Sequence, residues 1–174
     1  AAVGTAVHRV FEFLDLDADL EDGLAAAAAD LERRLDPALA PGERVIALGR
    51  AHALLDAFAR GPLLARLQEI APHVIARELS VLLPPDPDRS DGPVGFLAGV
   101  VDLLYRDPAS GVTVVADYKT DRIAGEAEIG EKAERYRTQG EAYVRGIQGA
   151  LGLLEPPRFE LWFLDASEIR GISL

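Results

Sequence analysis

The sequence predicts an α/β (α+β) protein: several helices, then a meander of β-strands, a long helix and one more strand. Apolar residues recur at helical spacing from the start of the chain to Ile70. After Pro72 the pattern becomes strand-like, with β-branched and leucine-rich runs. Helical spacing returns at Glu126 and ends at Gly152, before a last apolar run. The order of these patterns predicts the fold class.

Four helices are expected in the N-terminal section. Val7, Val10, Phe11 and Leu14 form one apolar stripe at helical spacing, and the following segments are rich in alanine and leucine. Proline and glycine separate these segments, and both residues interrupt helices. The predicted helices cover residues 4–16, 22–35, 42–59 and 62–70.

Three strand runs follow, over residues 73–83, 94–105 and 112–119. Residues 84–93 have the composition of an exposed loop, and residues 107–111 read as a turn. The second and third runs should therefore form a hairpin of antiparallel neighbours. A helix over residues 126–149 and a strand over residues 159–164 complete the prediction.

Composition narrows the functional classes. The 174 residues, 49% hydrophobic, suit one compact domain covering residues 1–174. The absence of cysteine excludes disulfides, zinc–thiolate sites and iron–sulfur clusters, which leaves carboxylate, histidine and backbone oxygen as ligands for a hard cation such as Mg²⁺. No apolar run is long enough for a membrane span and no leader is evident, so a cytoplasmic protein is expected.

The net charge and the first residue suggest that this chain is one domain of a longer polypeptide. The formal net charge of −11 argues against a free-standing nucleic-acid binder, because the phosphate backbone is also negative. The chain opens on Ala1 rather than methionine, which favours a domain cut from a longer polypeptide. If DNA is the substrate, another part of that polypeptide is expected to deliver it.

Charged residues inside apolar strand runs are the candidates for chemistry. Asp117 and Lys119 are two apart on a strand, so both side chains should lie on one face. Asp102 stands between Val101 and Leu103, where a charge costs several kcal/mol unless it is paired or bound to a metal. A surface ion pair or a hydrogen-bonding anchor in the core would be the structural alternatives. Carboxylates from two adjacent strands can also converge on one cation.

The order of these residues resembles the PD-(D/E)xK nuclease superfamily, and the finer motifs resemble its RecB/AddA branch, the nuclease domains of bacterial helicase–nucleases. Asp102 precedes Asp117-Tyr118-Lys119-Thr120-Asp121 by fifteen residues, in the arrangement of the superfamily's signature. The other matching elements are Gly4-x-x-x-His8, Arg77-Glu78, Gly99-Val100-Val101-Asp102 and Tyr136-x-x-Gln139-x-x-x-Tyr143. Without cysteine, the chain departs from relatives that carry an iron–sulfur cluster.

This resemblance implies a restriction-endonuclease-like mixed central sheet flanked by helices. It implies that Mg²⁺ or Mn²⁺ is bound by His8, Asp102, Asp117 and the backbone carbonyl of Tyr118, with Glu78 at a possible second site. Lys119 would be the catalytic lysine. The residues expected to contact DNA or support Lys119 are Gln139, Tyr143 and Tyr136, although both tyrosines could also be core residues.

The implied function is a metal-dependent deoxyribonuclease that digests DNA, with single strands delivered by a helicase motor in the same polypeptide or complex and with a possible partner subunit. Two alternatives remain at this point. One is a catalytically retired nuclease-like scaffold or DNA-end gate, and intact Asp102, Asp117 and Lys119 argue against it. The other is a free-standing phage-type exonuclease, which the acidity disfavours.

Overall fold

The computed structural model describes residues 2–83 and 97–174. Its centre is a five-stranded mixed sheet in the order β1-β2-β3-β4-β5. Strands β3 and β4 are parallel, and every other neighbouring pair is antiparallel. The strands are β1 (Val74–Leu83), β2 (Leu97–Arg106), β3 (Thr113–Lys119), β4 (Arg158–Phe163) and β5 (Glu168–Ile172).

Helices cover both faces of this sheet. The side chains of β3 alternate: Val114, Ala116 and Tyr118 pack with the N-terminal helices, whereas Val115 packs with the two helices that follow β3. The two cores therefore lie on opposite faces of one sheet, as in other proteins with helix–sheet–helix layers. The helices are α1 (Ala2–Phe13), α2 (Leu20–Ala29), α3 (Leu31–Arg34), α4 (Pro41–Arg60), α5 (Pro62–Ile70), α6 (Glu126–Arg135) and α7 (Arg137–Leu151).

The predicted fold class and order of elements are confirmed, including the antiparallel pairing of β2 and β3. Two predicted helices are each divided, at Asp30 and at Tyr136. Strand β5 was not predicted, because its residues are half-exposed and show little apolar alternation. The predicted loop over residues 84–93, and residues 94–96 of the second predicted strand, lie outside the described residues. Within the described ranges, no helix is long and apolar enough to cross a membrane.

Strands β2 and β3 separate at one end. Their register runs from Arg106 opposite Thr113 to Leu103 opposite Ala116, and pairing stops there. Strand β3 continues beside β4 as far as Lys119. The next residue on β2, Asp102, therefore lies where the two strands part, and its side chain can enter the opening.

Strand β1 contains an irregular residue at the same level. Glu78 has a φ of 47°, in the left-handed region that few non-glycine residues adopt. Side chains on the two sides of it follow different alternation: Arg77 contacts α1, whereas Leu79 packs in the core beneath α7. Irregularities of this kind re-aim a side chain, and they are frequent beside active sites.

Candidate active site

The opening between β2 and β3 is filled by the carboxylate of Asp102, which is only 5% exposed. The backbone N–H of Tyr118 donates to its Oδ2 at 2.6 Å, in place of a ladder bond to β2. His8 Nδ1 lies 3.1 Å from the other oxygen, Oδ1, and His8 Nε2 lies 3.1 Å from the carbonyl oxygen of Tyr118. Three of the predicted ligand groups are thus in direct contact.

Helix α1 is fixed so that His8 reaches this opening. Gly4 is one turn before His8, and a Cβ on it would meet Thr120 Oγ1 at 3.3 Å, so glycine permits the close approach of α1 to the end of β3. At the other end of the helix, Arg77 donates to the carbonyls of Phe11 and Leu14. These bonds satisfy carbonyl groups that a helix C-terminus leaves free.

The pKa of His8 reflects two opposed effects. Burial lowers it, but the hydrogen bond and negative charge of Asp102 outweigh burial and raise it above the ordinary value. A histidine must give up the proton on its ligating nitrogen to bind a metal, so proton and cation compete at this side chain.

Glu78 completes a group of possible ligands on the α1 side of the sheet. One ligand atom each from His8, Glu78 and Asp102 lies within 4.8 Å of the others. The Oε1 atom of Glu78 is buried without a hydrogen-bond partner among the described residues. Burial and the charge of Asp102 raise the pKa of Glu78. The irregular backbone of β1 therefore aims a carboxylate at the site and leaves one oxygen unsatisfied.

Asp117 and Lys119 project from the other face of β3, towards α7, and they form a buried ion pair. Burial and the negative charge of Asp102 raise the pKa of Asp117 to about 7, even though the charge of Lys119 opposes that shift. The negative charges of Asp102 and Asp117 therefore oppose each other. Asp102 lies between the group that contains His8 and Glu78 and the pair formed by Asp117 and Lys119.

Helix α7 supplies the residues next to Lys119. The Nζ of Lys119 donates to Gln139 Oε1 at 3.1 Å, and Gln139 Nε2 donates to the hydroxyl of Tyr143 at 2.9 Å. A Cβ on Gly99 of β2 would lie 2.6 Å from the ring of Tyr143, so only glycine leaves room for that tyrosine. The Tyr136 ring faces Lys119 from the junction of α6 and α7, with Nζ 3.6 Å from the ring centroid.

Comparison with protein families assigns residues 1–170 to one family model, the PD-(D/E)XK nuclease superfamily. The chain belongs to this superfamily. The five-stranded mixed sheet with helices on both faces agrees with its restriction-endonuclease-like fold. A search of curated proteins gave no match for the chain.

Members of this superfamily generally use a divalent metal, and the residues of this site fit one. The carboxylates of Glu78 and Asp102 lie together with His8, and Asp117, which is paired with Lys119, adjoins Asp102. The buried, unsatisfied oxygen of Glu78 is a further sign that the group accommodates a cation. Oxygen ligands with one imidazole suit Mg²⁺ or Mn²⁺. Of the predicted ligands, Asp117 stands apart from the group formed by His8, Glu78 and Asp102, and it adjoins that group through Asp102.

The sequence did not predict the residues that hold the loop after β3 next to the site. Asp121 accepts from the Tyr136 hydroxyl at 2.9 Å and lies 3.3 Å from Lys132 Nζ. Arg50 of α4 donates to the carbonyls of Thr120 and Asp121. Asp121 is the last residue of the motif that begins at Asp117, so its position in the sequence could have indicated its role. Arg50 carries no such signal, since its role depends on how α4 packs against the end of β3.

Proposed function

We propose that this domain is a Mg²⁺- or Mn²⁺-dependent deoxyribonuclease that hydrolyses phosphodiester bonds in DNA. We further propose that it is the exonuclease module of an ATP-dependent, RecB/AddA-like helicase–nuclease in the cytoplasm, acting in DNA end processing and recombinational repair. The observation that carries the proposal is the excess of converging carboxylates over cations at the opening between β2 and β3. A divalent cation would offset that excess.

The metal is held in this proposal by His8, Asp102, Asp117 and the Tyr118 carbonyl. Glu78 binds the same ion or a second one, since its carboxylate already lies in the group with His8 and Asp102. A bound divalent cation supplies Lewis-acid polarisation of a phosphoryl oxygen and lowers the pKa of water.

Lys119 has the position and charge for transition-state stabilisation. Lys119 is 8% exposed, and its ammonium is held between Asp117 and Gln139 at the wall of the site. A buried positive charge next to the scissile phosphate stabilises the negative charge that develops on the phosphoryl oxygens, and it orients the attacking water. Gln139 fixes the direction of this ammonium, and Tyr143, whose side chain is buried, holds Gln139 in place.

Delivery of single strands by a motor elsewhere in the polypeptide or complex accounts for the acidity of this domain. With a net charge of −11, its surface repels the phosphates of approaching DNA. The excised domain should therefore cleave weakly and with strong salt sensitivity. Salt-resistant digestion of linear duplex DNA by this chain alone would contradict the proposed delivery.

The test is degradation of end-labelled single-stranded DNA with Mg²⁺ or Mn²⁺ and with EDTA. Asp117→Asn and Lys119→Met should each reduce the cleavage rate by about 10²–10³-fold, because they remove a ligand and a transition-state charge. Glu131→Gln, on the exposed side of α6, is the matched control and should leave the rate unchanged. Equal cleavage in all four proteins would refute the site, and absence of metal-dependent cleavage in the wild type would favour the scaffold role.

A further inference from the structure

The ammonium of Lys119 has an aromatic contact in addition to its two polar ones. Nζ lies 3.6 Å from the centroid of the Tyr136 ring, close enough for a strong cation–π interaction. The ring face attracts the positive charge without offering an acceptor lone pair. The ammonium has three N–H groups, so it can still donate to polar partners. Lys119 can therefore be held at this ring while it donates to Gln139 and stays paired with Asp117.

The ring is itself fixed at its far end. The Tyr136 hydroxyl donates to Asp121 Oδ2 at 2.9 Å, and Lys132 Nζ lies 3.3 Å from the other oxygen of Asp121. The backbone of Tyr136 forms the junction between α6 and α7, and its N–H bonds back to the last turn of α6. Both ends of the side chain are held, so the ring cannot turn away from Lys119 without breaking a contact.

Asp121 is held in turn by a network that reaches α4. Arg50 Nη2 lies 3.4 Å from the carbonyl oxygens of Thr120 and Asp121. Arg50 also forms an ion pair with Asp165, whose Oδ2 accepts the Ile123 N–H at 2.7 Å. The loop that follows β3 is therefore fixed on both sides of Asp121.

From these contacts we infer that Tyr136 is a positioning residue for Lys119, and that Asp121 orients the Tyr136 ring. A cation bound at Asp117 would compete with Lys119 for that carboxylate, and the ring and Gln139 would then hold the ammonium in place. The inference rests on the proposed nuclease function for its catalytic consequence, but the contact itself can be tested without activity.

Packing alone is the rival explanation, because Tyr136 also packs against the core beneath α6 and α7. Three variants separate the two roles. Tyr136→Phe keeps the ring and loses the bond to Asp121, Tyr136→Leu loses the ring, and Ile172→Ala removes packing from the same core away from Lys119.

Single-turnover cleavage of single-stranded DNA with Mn²⁺ gives the first readout. Tyr136→Leu should slow the cleavage rate about tenfold with little change in the half-saturating DNA concentration. Tyr136→Phe should stay within about threefold of the wild type, and Asp121→Asn should fall between them. Ile172→Ala should lower the melting temperature but keep the cleavage rate. A Tyr136→Leu protein that cleaves at the wild-type rate, or a Tyr136→Phe protein as slow as Tyr136→Leu, would overturn the inference.

Nuclear magnetic resonance gives a readout that requires no activity. Protons on the Lys119 side chain next to Nζ lie over the ring face, so their resonances should be shifted upfield in the wild type, Tyr136→Phe and Ile172→Ala. The shift should vanish in Tyr136→Leu, with assignment through Lys119→Met. An ordinary chemical shift in the wild type would overturn the inference. Absence of cleavage in a wild type that shows the shifted resonance would refute only the nuclease function.

Discussion

Two clusters of buried charge lie at opposite ends of β2 and β3, and they are built differently. The first is the candidate active site around Asp102. The second, here called the distal cluster, consists of Arg66, Tyr105, Asp107, Arg158 and Glu160. Asp107 is 5% exposed, as is Asp102, although the Arg158 partner of Asp107 is half-exposed.

In the distal cluster, each carboxylate has internal partners. Asp107 forms ion pairs with Arg66 at 3.0 Å and Arg158 at 2.7 Å, and it accepts from the hydroxyl of Ser110 at 2.6 Å. Glu160 accepts from the Tyr105 hydroxyl at 2.7 Å. The hydrogen bonds from Ser110, Arg66 and Arg158 hold the pKa of Asp107 well below its usual range.

In the candidate active site, the pKa values of the carboxylates move in opposite directions: that of Asp102 is lowered, whereas those of Asp117 and Glu78 are raised. Burial and the charge of Asp102 raise the pKa values of both Asp117 and Glu78. Asp107 and Glu160 of the distal cluster both have partners for their carboxylates, whereas Glu78 of the candidate active site keeps one oxygen without a hydrogen-bond partner among the described residues. The cluster with satisfied carboxylates is suited to stabilising the fold, and the cluster with an unsatisfied carboxylate oxygen is suited to binding a cation.

The largest effect is expected when the distal cluster is broken. Asp107→Ala leaves Arg66 and Arg158 without their shared partner and should lower the free energy of unfolding by about 3 kcal/mol. Urea unfolding of the wild type and the variant measures this loss of unfolding free energy. Asp56→Ala is the control, because its pair with Arg60 is exposed and should contribute less than about 1 kcal/mol. Equal losses in both variants would show that the distal cluster does not stabilise the fold.

A somewhat smaller effect is expected from metal binding at the active site. Mn²⁺ at a hundredfold excess over its Kd should stabilise the wild type by about 2.7 kcal/mol, because it binds only the folded state. Asp107→Ala should keep this increment, whereas Asp102→Asn should lose most of it. Thermal unfolding with and without Mn²⁺ makes the comparison. An increment that survives in Asp102→Asn would place the cation elsewhere.

The smallest effect is a difference in pH dependence between the clusters without metal. The pKa of Asp117 is raised to about 7, so folding favours its protonated form, and wild-type stability should fall as pH rises from about 4 to 7. The pKa of Asp107 is lowered, so its contribution is present above about pH 4 and is lost as pH falls further.

Unfolding in EDTA across this pH range tests both directions. Asp117→Asn should show a weaker decline between pH 4 and 7, because only the raised pKa of Glu78 then contributes to it, and should be more stable than the wild type at pH 8. Asp107→Asn should be less stable at neutral pH and approach the wild type in acid. A wild type whose stability rises steadily from pH 4 to 7, with no difference from Asp117→Asn, would contradict the raised pKa.

The sequence predicted one cluster and missed the other for a physical reason. Asp102, Asp117 and Lys119 interrupt apolar strand runs, and a charge in such a run is conspicuous. Asp107 and Arg158 stand at the ends of strands, where charges are ordinary, and Arg66 lies on a helix. Only tertiary packing brings them together.

Local backbone detail was also beyond prediction. The left-handed φ of Glu78 falls at an interruption of the pairing between β1 and β2, and the division between α6 and α7 falls inside a continuous helical pattern. Glu78 was predicted as a possible ligand only through the resemblance of Arg77-Glu78 to a family motif. The catalytic and ligand roles of the site residues stay predictions until the variants are measured.

The separation of β2 and β3 gives this protein an internal reporter. The Tyr118 amide proton is bound by the carboxylate of Asp102 instead of a backbone carbonyl. Its resonance frequency and its exchange rate with solvent therefore depend on the charge state of that carboxylate. Protonation, cation occupancy and substrate arrival can each be followed at this single backbone position, without a label attached to the site.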